Sequence, residues 1–147
     1  MIQLYFLTMI ALVAEAVVFL SDYYGWKYIT LLKTKNYLTG NRRRLMALGS
    51  LYLLLAVANL LFPVAPGPVL LGEFIPAVAL FLFPVFSLGI IIVPRTQEDR
   101  EQESKKLSPK DFIRLGHSTI ELHKRNLGFA VLAIAGVHLL YPKGVLI

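Results

Sequence analysis

Four long stretches of this chain carry almost no charge. Residues 2–20 hold one acid, Glu15, and residues 69–93 hold one, Glu73; residues 45–63 and 126–141 hold none. Runs of this length and polarity cannot coat a soluble domain, and about 20 apolar residues in a helix are what the hydrocarbon of a bilayer requires. The whole chain points the same way: 56% of its 147 residues are hydrophobic and 16% charged, against roughly a quarter charged in ordinary soluble domains. The expected fold class is an all-α integral membrane protein. It forms a single membrane domain over 1–147, with four transmembrane helices near 2–20, 45–63, 69–93 and 126–141. The third expected span contains Pro76 and Pro84, each of which removes a backbone donor and invites a kink.

The basic residues fix an expected orientation. Lys27, Lys33, Lys35, Arg42, Arg43 and Arg44 lie in the 21–44 connection. Arg95, Arg100, Lys105, Lys106, Lys110, Arg114, Lys124 and Arg125 lie in the 94–125 connection. These are fourteen of the fifteen basic residues. The short turn at 63–68 has none. Lys and Arg accumulate on the cytoplasmic side, so both long connections are expected there, with both termini outside. The expected location is the inner (plasma) membrane of a bacterium. The first apolar run lacks a basic leader and a small-x-small cleavage site, so it reads as a span rather than a removable signal.

The connections have structure of their own. In "SDYYGWKYITLLKTKNYLTGNRRR", Tyr23, Tyr24, Trp26 and Tyr28 suit the headgroup belt, Gly40-Asn41 breaks the segment, and Arg42, Arg43 and Arg44 hold the start of the second span at anionic headgroups. Membrane lipids are therefore expected partners. A positive patch of this kind also suits nucleic acid, but its sidedness with respect to the bilayer already accounts for it, and no nucleic-acid partner is expected. In "SPKDFIRLGHSTIELHKR", Ser108, Pro109 and Asp111 form a helix-start pattern. Phe112, Ile113 and Ile120 then contribute to an apolar side, predicting a cytoplasmic interfacial helix that lies on the membrane or docks on a partner.

The second and fourth spans end alike, Asn59-Leu60-Leu61-Phe62-Pro63 beside His138-Leu139-Leu140-Tyr141-Pro142. A parallel repeat, each half being span, long inner segment and span, would produce this echo.

Four polar residues fall within expected spans: Glu15, Asn59, Glu73 and His138. Ionisable groups at depth are costly to insert, so they mark interior contacts or function. The topology puts Asn59, Glu73 and His138 at similar depth near the outer side. Glu15, nearer the inner side, is expected to stay protonated, to reach a base such as Lys33 or Arg42, or to pair with another subunit. His138 follows Ala135 and Gly136, and small residues beside a membrane histidine leave room for a tetrapyrrole whose metal an imidazole ligates.

No phosphate loop, metalloprotease motif or nucleophile set is present, and with three histidines and no cysteine no metal site is expected. No catalytic residue is assigned. The reading that absorbs most features is a non-catalytic accessory subunit of a larger membrane complex, partnered by other membrane-protein subunits. Two others compete with it: an oligomeric transporter or channel using Glu15 and Glu73, and a tetrapyrrole-binding subunit through His138.

Overall fold

The structure, a computed structural model, describes residues 2–61, 74–92 and 109–140. These residues form five helices: α1 (Ile2–Tyr24), α2 (Ile29–Thr39), α3 (Arg42–Leu61), α4 (Phe74–Ile92) and α5 (Pro109–Leu140). Three have the length and apolarity to cross a membrane, within Leu4–Tyr24, Arg42–Leu61 and Phe74–Ile92. The outer turn at 63–68, Glu73 and the charged run at 94–108 lie outside the described residues.

The four long helices pack into one bundle. The hydroxyl of Tyr52 on α3 donates to the Ala11 carbonyl on α1 (2.7 Å), and Asn59 Nδ2 donates to Thr8 Oγ1 (2.8 Å). Advancing along α3 therefore means retreating along α1, and the two are antiparallel. Tyr52 stacks on Phe83 of α4, while Gly49 faces Ser87, so α4 runs opposite to α3. Tyr24 of α1 meets Phe129 of α5, and Tyr5 meets His138, so α5 runs opposite to α1. The parallel pair α1 and α4 touches through the middle, with α3 and α5 on opposite sides of it and not in contact with each other. A parallel repeat equating α1 with α4 and α3 with α5 would give this layout. The short α2, however, has no separate counterpart among the described residues of the second half.

Most of the core is aliphatic and aromatic: Leu12, Phe19, Leu45, Leu80, Phe83, Phe86 and Val131 are fully buried. The outer surface is apolar as well, with Ile10, Leu54, Phe81 and Leu139 more than half or about half exposed. Exposed aliphatic and aromatic side chains all round a bundle are what lipid, rather than water, requires of a surface. Gly49 lets α3 and α4 approach closely, since a Cβ there would lie 2.5 Å from Ser87 Oγ. Pro76 falls in the first turn of α4, where no helical donor is lost, and only Pro84 sits in the helix interior.

Two expected boundaries move. α1 runs on to Tyr24 rather than ending near residue 20, which brings Ser21 and Asp22 into the helix. The expected interfacial helix and fourth span are one continuous 32-residue helix, α5, about 48 Å long. Its first half does not lie flat on a membrane: Ile120 is buried in the bundle, Ile113 is half-buried, and His117 packs on Gly89 of α4. The Gly40-Asn41 break is present as expected. Gly40 closes α2, and the Asn41 side chain accepts from the Arg43 backbone N–H at the start of α3 (2.9 Å).

Candidate functional site: a polar column inside the bundle

Polar side chains follow one another down the interior. At one end, Asn59 Nδ2 bonds Thr8 Oγ1 and the Leu55 carbonyl, each at 2.8 Å, so this amide is satisfied on two helices. Beside it the Tyr5 hydroxyl donates to the His138 carbonyl, and the two rings lie 5.0 Å apart. Tyr5 and Thr8 are less than one turn apart, so Asn59 and His138 stand at one level along the bundle. Glu73, the third residue expected there, lies outside the described residues.

Further along, Tyr52 is held by its bond to Ala11 and by the face of Phe83, 4.3 Å between centroids. Ala11 is one turn before Glu15. Glu15 is 0% exposed, and neither carboxylate oxygen has a hydrogen-bond partner. It faces the interior of its own chain, against the Phe83 backbone of α4. Lys33 and Arg42, named above as possible bases, are on the surface.

Below Glu15 the column becomes charged. Lys124 of α5 is 3% exposed. Its ammonium sits 2.6 Å from Asp22 Oδ2 and 3.0 Å from Glu121 Oε1, and 4.6 Å from the centroid of the Phe86 ring. Asp22 also pairs with Lys35 of α2. One carboxylate thus ties together α1, α2 and α5. A turn or two away, His117 lies tilted against Phe86, 5.7 Å between centroids, with its Nδ1 buried and unpartnered. Gly89 makes the room: a Cβ there would come within 2.3 Å of the imidazole. Burial holds His117 below the usual histidine range; Glu121 and a backbone bond at Phe86 oppose the shift and Lys124 adds to it.

The residues expected at the membrane boundary divide in two. Trp26 (83% exposed), Tyr23 and Tyr28 are open, but Tyr24 is turned inward onto Phe129. Arg42, Arg43 and Arg44 are exposed in the first turn of α3, where positive charge opposes the helix dipole; helix stability is not the reason for them. Arg44 lies over the Tyr37 ring of α2 (4.6 Å). Of the three residues on the expected docking side, Ile113 and Ile120 face the bundle and Phe112 faces out, 78% exposed. Thr8, Tyr52, Asp22, Lys124 and His117 join the column without having been expected there. Among the described residues no group of three His, Cys, Asp or Glu converges as metal ligands.

This bundle defines an all-helical protein with a polar column in its interior and, among the described residues, three helices long and apolar enough to cross a membrane. The chain belongs to a family of unknown function whose model matches residues 1–138. No curated protein and no solved structure matches it.

Proposed function

We propose that this protein is a non-catalytic subunit of a larger membrane complex, docked through the outer side of α5. One observation carries the reading. Phe112, Leu115, Thr119, Leu122, Asn126, Phe129, Ala133, Gly136 and Leu140 alternate three and four residues apart, and all but half-buried Gly136 are exposed. That spacing is the seam of a helix–helix contact, met within this chain at Phe129, where Tyr24 of α1 touches it, and otherwise exposed. A Cβ on Gly136 would meet nothing within 4 Å, so small positions in the seam are open to a neighbour. Lipid alone explains the half near Leu140. It does not explain Phe112 and Leu115, which α5 carries beyond the level of Asp22 at the end of α1.

The reading includes a fourth crossing by the C-terminal half of α5 and places residues 21–44 and 94–125 on the cytoplasmic side, on the strength of the basic-residue distribution. The partner is a membrane protein presenting a helix that crosses the bilayer and projects on the same side. Two experiments test this. The chain has no cysteine, so single substitutions can be labelled without background. Lys33→Cys should react with an impermeant maleimide only from the inner side and Lys143→Cys only from the outer side. Extracted in mild detergent, the protein should migrate with a stoichiometric partner, and Leu115→Glu with Leu122→Glu should release it. A stable lone chain at native abundance contradicts the proposal.

A further inference from the structure

Glu15 takes no part in the docking seam, and its surroundings give it a different use. It is fully buried, its carboxylate oxygens make no hydrogen bond of good geometry, and it stands against the Phe83 backbone of α4 and near Tyr52 of α3. α4 has no titratable residue along Phe74–Ile92. From α3 the facing titratable group is Tyr52, whose hydroxyl is already given to the Ala11 carbonyl. From α5 the charges are those of Lys124 with its partners Asp22 and Glu121, beyond the Phe86 and Phe19 rings, and His117 further still. Among the described residues no cation pairs with the carboxyl. An unpaired carboxylate here would bear a desolvation cost of several kcal/mol.

The same place supplies an acceptor. Pro84 has no N–H, so the carbonyl four residues earlier, on Leu80, loses its helical donor. Leu80 is 0% exposed, out of reach of water, and it lies less than one turn from Phe83, which Glu15 faces. A carboxylic acid has one O–H to give, and the proline break leaves a carbonyl able to take it. A metal ion would need several oxygen ligands, and the groups around Glu15 do not provide them. A proton needs only the carboxyl.

We infer that Glu15 is a proton-binding site within the membrane, holding the neutral acid against the proline break of α4 and releasing its proton to water only when α1, α3 and α4 separate. The ligand is a proton, and the site stands whether or not α5 docks a partner.

Two measurements test it on the full chain in phosphatidylcholine vesicles. Infrared spectra should contain the carbonyl stretch of a protonated carboxyl that persists at neutral pH and is lost in Glu15→Gln. Dicyclohexylcarbodiimide, which enters membranes, takes the proton of a carboxylic acid and adds its oxygen at the central carbon, should label the peptide containing Glu15 in the unmutated protein, whereas a water-soluble carbodiimide should not. The second measurement needs no variant, so a folding defect in Glu15→Gln leaves the inference testable. Identical infrared spectra for the two proteins, or equal labelling of Glu15 by both reagents, would overturn it.

Discussion

At the scale of residues, the close contact between Gly89 and His117 makes a sharp prediction. Gly89→Ala places a methyl group into the imidazole, and overpacking of this kind costs about 1–3 kcal/mol. The thermal midpoint in detergent should fall accordingly. His117→Ala in the same chain should recover part of the loss, because the two positions share one space. The same histidine predicts a pH dependence. Burial lowers its proton affinity in the folded protein, so the unfolded chain binds more protons in the window below about pH 6.5. Stability should decline as pH falls through that window and level off below the folded value, and His117→Asn should flatten the profile. Some of this was legible in the chain. Thr8, Glu15 and Asp22 are seven residues apart on α1, which puts three polar groups on one side of a helix. Glu15 and Asn59 were singled out as interior polar residues on insertion cost alone. What one sequence does not contain is the facing surface: that Tyr52 would stand beside Glu15 depends on how α3 packs, not on either segment's own pattern.

Among the elements, α5 was misread for a specific reason. Ile113, His117, Ile120, Lys124, Leu127, Val131, Ile134 and His138 follow an unbroken three–four spacing, the signature of one continuous helix. Two histidines and a lysine stand at inward positions of that seam, so a reading based on apolarity laid its first half on the membrane surface or a partner, although it let that half run on into the short span. The extension of α1 to Tyr24 was missed for a related reason, since Asp22 looks like the end of a span until Lys124 is there to receive it. That ion pair joins the elements and behaves asymmetrically. Asp22→Asn leaves the buried Lys124 ammonium with Glu121 as its remaining carboxylate and should cost about 2 kcal/mol, less than breaking a fully buried pair because Glu121 stays and Asp22 is about one-third exposed. Lys124→Met should cost less, since Asp22 keeps Lys35 and the new side chain is apolar. Denaturation midpoints of the two variants, compared in one detergent, check the order.

For the molecule as a whole, class and crossing helices were the most legible features, because the hydrocarbon thickness imposes a length on any apolar run that crosses it. Three such helices stand in the structure where they were expected, apart from shifted ends. The arrangement of the bundle was not legible, because nearly every apolar face is acceptable to lipid and periodicity alone does not distinguish core from surface. The proposed docking seam on α5 emerges only once the inward seam has been assigned and subtracted. It is therefore the claim that most needs a direct measurement. A photo-crosslinking residue placed at Leu122, and separately at Ile10 as a lipid-facing control, should be activated in native membranes. The account predicts that position 122 forms an adduct with one membrane protein of different sequence while position 10 yields lipid adducts. Lipid adducts alone from position 122, or adducts only with further copies of this chain, would contradict it.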